Sequence, residues 1–378
     1  MDFFAVVGSF LAALGLAGAA YTALAAVFVA RYAPRSQPGD PAPPAVTILK
    51  PLHGGEPALE DNLSGFFVQD YPAPFQLVFG VHDEADPAIA VVERLRARHP
   101  GTDATLVVDG RQHGSNGKVS NLINMQAAAR HGVLILSDSD IAVPTDYLRR
   151  VMSALKPDGV GAVTCLYTGV AAMGLGSRLC AMGIDYQFLP NAVTGVALGF
   201  AEPCFGSTVA LRRTVLAEIG GLEAFTNFLA DDYEIGRAVR AKGYHVAIPH
   251  MAVRHTCTER GLGDWLAHEL RWARTIRVVA PAGHLASIVT HAIPLALLGA
   301  ILSGFTVFAT AALAATLAAR TVLKWRIDRF FDCYGGPLWL LPFRDVVSFG
   351  IFLVSLFGGS VEWQGNRLHV ERDGVLSK

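Results

Sequence analysis

Apolar and polar positions along this chain fall into distinct regimes. Phe3 to Ala30 is a run of 28 residues without Asp, Glu, Lys or Arg, and Val278 to Ala319 is a second run of 42. A bilayer core of roughly 30 Å takes about 20 helical residues. The first run therefore predicts one membrane span, and the second is long enough for a hairpin of two. Val346 to Val361 is uncharged but short, and with Pro337 to Phe343 ahead of it reads as a broken span or an interfacial helix. Between these runs, short apolar segments alternate with helically spaced ones. Val46–Leu49, Gln76–Val81, Thr105–Val108 and Val133–Leu136 read as strands; Leu59–Val68, Ala88–His99 and Lys118–Arg130 read as helices. Strands of about four to six residues separated by helices of about ten predict βαβ units and a mostly parallel sheet. Ligands bind beyond the carboxyl ends of such strands, which singles out the residues that follow each one.

The predicted organisation is an N-terminal anchor over 1–31, a Pro-rich linker over 32–45, a water-soluble α/β domain over 46–280, and a C-terminal membrane region of two to three segments with a short tail over 281–378. Composition agrees. Hydrophobic residues make up 52% and charged residues only 17%, where soluble chains average about a quarter charged. Such a chain is neither disordered nor a disulfide-dense secreted fold, since it has five cysteines and no CxxC pair. A net charge of −1 gives no pull toward nucleic acid, and none is expected as a partner. Met1-Asp2 lacks the basic start of a secretory signal, and positive charge follows the first run at Arg31 and Arg35. Arg271, Arg274 and Arg277 before the second run, and Arg320, Lys324, Arg326 and Arg329 after it, fit the same orientation. By the positive-inside rule the N-terminus lies outside and the soluble domain in the cytoplasm.

The strand ends carry acids: His82-Asp83-Glu84, Asp109, and Ser137-Asp138-Ser139-Asp140. In extended backbone, carboxylates at i and i+2 share a side, so Asp138 and Asp140 can reach one hard cation such as Mg²⁺ or Mn²⁺. The alternative is capping, of a turn by Asp138 and of the Pro144–Leu155 helix by Asp140. Asp231-Asp232 precedes a helix running to Lys242; one acid suffices as an N-cap, leaving the other free as a general base. Lys118, opening a helix after Gly114-Ser-Asn-Gly117, is either a solvated lysine or a phosphate contact. In Trp265–Arg277, an amphipathic helix ahead of the membrane, Arg274 and Arg277 read as headgroup contacts, whereas Arg271 beside Trp272 suits a diphosphate.

The ordered set Leu49-Lys-Pro-Leu-His-Gly54, Asn62 to Pro72, Gly80-Val-His-Asp83, Lys118-Val-Ser-Asn121, Ser137-Asp-Ser-Asp-Ile141, Cys204-Phe-Gly-Ser207, Leu229-Ala-Asp-Asp232 and His268-Glu-Leu-Arg-Trp272 resembles the ceramide glucosyltransferase family (glycosyltransferase family 21) and, more closely, its bacterial hopanoid-biosynthesis branch. That resemblance implies a GT-A nucleotide-sugar domain flanked by transmembrane helices. It also implies a multi-pass protein of the cell inner membrane that moves a hexose from UDP-glucose or UDP-GlcNAc to a lipid hydroxyl. The acceptor implied is a hopanoid polyol such as bacteriohopanetetrol, with ceramide as the alternative. By the same resemblance Asp83, Lys118, Asp138, Arg271 and Trp272 bind the nucleotide sugar, Asp138 and Asp140 hold Mg²⁺ or Mn²⁺, and Asp232 is the catalytic base. The family's (Q/R)xxRW motif is met in part, with His268 in its first position. The rival readings are a processive polysaccharide synthase, for which the C-terminal segments offer little material for a channel, and a non-catalytic membrane protein.

Overall fold

Runs of four to six β-branched and aliphatic residues cannot be solvated on either face, and in the computed structural model they stack into one sheet. The structure describes residues 3–35, 42–333 and 335–357, together with the backbone of 360–363, 366–370 and 376–377. It divides into two compact units: 1–33, 173–201 and 259–373 form one, and 34–172, 202–258 and 374–378 the other. The domain boundary read from composition, 46–280, thus runs across both, because 173–201 and 259–280 group with the apolar helices. Most of the linker's 36–41 stretch lies outside the described residues, as do the side chains of the C-terminal tail.

The strands that build the α/β unit's two sheets are β1 (Val46–Pro51), β2 (Phe75–Val81), β3 (Asp103–Val108), β4 (Val133–Leu136), β5 (Ile141–Ala142), β6 (Val160–Thr164), β7 (Leu166–Ala171), β8 (Val209–Arg212), β9 (His245–Ala247) and β10 (Ala252–Cys257). Seven of them form a sheet in the order β3-β2-β1-β4-β8-β6-β9. The β3, β2, β1 and β4 strands run parallel, in line with the sequence, while β8 is antiparallel to both β4 and β6. A smaller sheet pairs β5 and β7 with β10. The expected helices appear at Leu59–Phe67, Ala88–Arg98 and Gly117–Met125, burying Leu63, Phe66, Val92, Leu95 and Leu122 against the sheet. Chain order reverses between β1 and β4, so the crevice beyond their carboxyl ends is where this sheet type places a ligand.

In the helical unit, Phe3–Arg31 and Val307–Phe331 are long and apolar enough to cross a membrane. Pro281–Thr290 and Ala292–Leu302 are bent by 59° and add a third span if they count as one. The second uncharged run is therefore a broken segment followed by the first half of a helix that continues through Arg320, Lys324 and Asp328. Those charges are internally paired: Arg320 with Asp345 at 2.7 Å and Lys324 with Asp328 at 2.5 Å. Leu340–Ser355 is a helix of 16 residues, short for a span, with Arg344 and Asp345 buried. Close packing between Phe3–Arg31 and Ala292–Leu302 rests on small residues. A Cβ on Gly15 would stand 2.7 Å from Ala296 Cβ, and one on Gly18 would stand 2.5 Å from the Val289 carbonyl. Small-residue faces of this kind are how membrane helices approach without a hydrophobic driving force.

Candidate active site

The parallel strands deliver their following residues to one edge of the sheet. Beyond β4, Asp138 accepts from Lys118 Nζ at 2.8 Å, and the same ammonium donates to Asp231 Oδ2 at 3.1 Å. Lys118 opens the Gly117–Met125 helix, whose N-cap Asn116 accepts the Val119 N–H at 3.1 Å and donates to Asp231 Oδ1 at 3.4 Å. Lys118 is therefore an ion-paired, largely buried lysine, not a solvated one, and its carboxylate neighbours hold its pKa well above the ordinary value against the pull of burial. Asn121, one turn on, donates to the Gly80 carbonyl at 2.8 Å and fixes the helix to the end of β2.

Asp232 enters the same cluster through Gly206. The Gly206 N–H donates to Asp232 Oδ2 at 2.6 Å, and the Gly206 carbonyl accepts the Asp138 N–H at 3.2 Å. A Cβ at this position would lie 2.4 Å from Asp138 Oδ2, which is why glycine stands here. Neither Asp231 nor Asp232 is an N-cap: Ala230 occupies that position and both acids lie in the first turn of the Asp231–Ala241 helix, where their charge complements the dipole. Burial, and then the adjacent Asp231, push the Asp232 carboxyl up to about 6.

Asp140 faces a different set of partners. The sequence placed Asp138 and Asp140 on one side of extended backbone, but residues 139 and 140 turn, with the Ile141 N–H returning to the Asp138 carbonyl at 3.4 Å. Nor does Asp140 cap the Tyr147–Leu155 helix, where Asp146 is the N-cap. Its Oδ2 lies 3.1 Å from His255 Nε2 on β10. Burial raises its pKa, but His255, Lys50 and Lys118 together hold it at about 2. Lys50, the last side chain of β1 inside the sheet, is fully buried over the Phe66 ring at 4.2 Å and donates to Ser137 Oγ at 3.3 Å and to the Asp138 carbonyl. Burial lowers it to about 7. Glu56 accepts from Ser139 Oγ at 2.9 Å, and burial with Asp140 nearby raises it to about 7. Asp140 Oδ1 and Glu56 Oε2 are buried with no hydrogen-bond partner and are oxygen donors that could ligate a cation.

Asp83 follows β2 on the same edge but is exposed, and it accepts the Ala85 N–H at 2.9 Å. Asp109 follows β3 and pairs with Arg111 at 2.6 Å, which holds it at about 2. Arg271 and Trp272 belong to the helical unit, half-buried on the helix Leu262–Val279. The His268 ring meets Trp272 edge-on at 4.6 Å. Burial lowers the His268 pKa, but contacts with Cys180 and Glu259 outweigh it and raise the group to about 9. Arg277, expected at lipid headgroups, donates to the Leu356 carbonyl at 2.7 Å. The sequence reading gave Lys50 and Gly206 no role, although both stand in its motifs Leu49-Lys-Pro-Leu-His-Gly54 and Cys204-Phe-Gly-Ser207, and it passed over Glu56 and His255.

A mixed sheet with an Asp-x-Asp after its central parallel strand, and a paired acid reached from a later helix, defines the GT-A class of glycosyltransferases. A mannosyltransferase from Pyrobaculum calidifontis, solved in complex with GDP-Man and Mn2+, shares the fold with a TM-score of 0.51 and 21% identity, over 93% of this chain and 99% of that one. The sequence pattern of Glycosyl transferase family 21 matches residues 10–376, and the chain belongs to that family. Ceramide glucosyltransferase 1 of Caenorhabditis elegans is 26% identical over 354 residues, 89% of this chain and 74% of that protein. The ceramide glucosyltransferase of Komagataella phaffii is 37% identical over 123 residues, 30% of this chain and 24% of that one. The protein is a membrane glycosyltransferase.

Proposed function

We propose that the protein is an inverting, UDP-sugar-dependent hexosyltransferase of the cell inner membrane, its α/β unit cytoplasmic, that glycosylates a lipid hydroxyl. The observation that carries this reading is the pair of hydrogen bonds at Gly206, whose N–H donates to the Asp232 carboxylate while its carbonyl accepts the Asp138 N–H. The oxygen donors Asp138 and Asp140, with the orphaned Asp140 Oδ1 between buried walls, suit Mg²⁺ or Mn²⁺. Such an ion supplies neutralisation of charge on a diphosphate leaving group. The motif resemblance assigns diphosphate binding to Arg271 and Trp272 and nucleoside binding to Asp83. Asp232, anchored by backbone N–H groups of Gly206 and Tyr233 and raised toward neutrality, takes the proton of the acceptor hydroxyl as it attacks the anomeric carbon from the face opposite the leaving group.

A hopanoid polyol is the acceptor we favour. What supports this reading is the closer resemblance of the ordered motifs, with the complete Asp138-Ser139-Asp140, to the hopanoid-biosynthesis branch. Ceramide is the second reading, supported by the names of the relatives. Membranes containing the protein, incubated with UDP-glucose or UDP-GlcNAc against bacteriohopanetetrol or ceramide, distinguish these by mass spectrometry of the lipid extract. A singly glycosylated bacteriohopanetetrol is expected. Glycosylated ceramide alone would replace the acceptor, a polymer would favour a processive synthase, and no sugar on any lipid would overturn the reading.

A further inference from the structure

A second group of ligand-type side chains lies in the helical unit. Cys180 comes from the helix Leu175–Gly183, Glu259 from the segment before the helix Leu262–Val279, and His268 from that helix itself. Among the described residues, this is the group of three or more His, Cys, Asp and Glu whose ligand atoms all lie within 4.8 Å of one another. Cys180 Sγ is 3.9 Å from His268 Nδ1, the same nitrogen meets Glu259 Oε1, and the thiol also bonds the Glu259 carboxyl. Cys180 is 3% exposed and Glu259 8%.

Hydrogen bonding alone leaves this cluster incomplete. A proton on His268 Nδ1 answers Glu259 Oε1, yet Glu259 Oε2 remains buried without a partner. An orphaned buried polar atom costs about 1–3 kcal/mol, and most such atoms in folded proteins have a reason to be there. A thiolate, an imidazole nitrogen and a carboxylate are the donors zinc selects, and in a tetrahedral site sulfur and nitrogen ligands stand about 3.6 Å apart, close to the spacing here. From these positions we infer that Cys180, Glu259 and His268 form a Zn²⁺ site with one open coordination position. Binding releases the thiol proton and the imidazole proton as the metal–sulfur and metal–nitrogen bonds form. The ion ties the helix Leu175–Gly183 to the turn that carries His268, Arg271 and Trp272, so the three ligands are positioning residues for that motif.

The test uses the full chain, without an affinity tag, purified in detergent with no added metal. Elemental mass spectrometry should find zinc near one per chain, and chelator-stripped protein should rebind added Zn²⁺. Cys180→Ser and Glu259→Gln should weaken rebinding by more than the roughly 10–100-fold that loss of an outer partner costs. Cys180→His, which keeps a ligand, should retain the metal, and Asp138→Asn should leave zinc content unchanged, which separates this site from the Asp138–Asp140 cation. No zinc on the wild-type chain with no rebinding, or equal Zn²⁺ affinity in Cys180→Ser, overturns the assignment whatever the fate of the proposed sugar transfer.

Discussion

Replacing Gly206 with alanine perturbs the active-site cluster at a single atom. The new Cβ would sit 2.4 Å from Asp138 Oδ2 and 3.1 Å from Lys118 Nζ. Relief to an ordinary contact near 3.5 Å needs a shift of about 1 Å in a carboxylate whose side chain is too short to swing far. That shift stretches the 2.8 Å Lys118–Asp138 bond past hydrogen-bond range. Charge-assisted bonds contribute about 1.5–3 kcal/mol. Asp138 keeps a third of its side-chain surface in solvent, so screening places the cost near the lower end, about 1.5 kcal/mol or roughly tenfold. The Gly206 N–H still reaches Asp232, because the backbone need not move. The expected outcome is a Mn²⁺ titration of donor turnover with half-saturation raised about tenfold. In an Asp138→Ala background Gly206→Ala should add almost nothing, since the two act through one contact. An unchanged Mn²⁺ dependence, or the same cost in both backgrounds, refutes the reasoning.

Asp232→Asn should lower turnover by on the order of 10²–10⁴ with donor affinity kept within a few-fold, measured by isothermal titration beside initial rates; turnover close to wild type removes the residue from its role. As the proposed base, Asp232 would act as the ionised carboxylate, so its raised pKa predicts activity that is full above about pH 7 and falls tenfold per unit below about pH 6. Asp231→Asn deletes the second cause of that rise and should move the acid limb of kcat/KM downward; an upward or absent shift contradicts the assignment. Gly15→Val drives a side chain into Ala296 and should lower the thermal midpoint in detergent, with Ala296→Gly giving partial recovery. Equal midpoints would mean the two helices separate without cost.

Much of the sheet was legible because burial on both faces leaves a plain signature. Val46-Thr-Ile-Leu49 and Val133-Leu-Ile-Leu136 are strands at those positions, and the parallel order follows from the helices between them. The limits appear where tertiary partners override local pattern. The helix expected to reach Arg130 ends at Met125, and the next residues turn, with the Ala128 N–H on the Met125 carbonyl at 3.1 Å. The antiparallel β8 carries no periodicity that tells it from its neighbours. Charge-free length located the helix Val307–Phe331 only in part, because Asp345, 25 positions away from Arg320, neutralises a charge that composition counts as an end of the span. In the site, Lys118 looked solvated because its partners Asp138 and Asp231 lie far along the chain.

Charge balance on the sheet edge gives these separate observations one physical logic. Asp138, Asp231 and Asp232 gather around a single ammonium, Asp140 and Glu56 share Lys50, and Asp140 also meets His255. Acids outnumber bases, and burial raises Asp138, Asp232 and Glu56, the response of carboxylates short of counter-charge. An anionic diphosphate approaching such a surface is repelled unless a cation arrives with it. A divalent ion held by Asp138 and Asp140, as proposed, would supply the missing counter-charge. Thermodynamic linkage then requires that donor strengthen cation binding by the same factor that cation strengthens donor binding. On that reading, Lys118 would have the complementary task of keeping the acids assembled between turnovers. Its two ion pairs hold Asp138 and the Asp231–Asp232 turn together, so the proposed base remains beside the cation ligands whether or not the donor is bound.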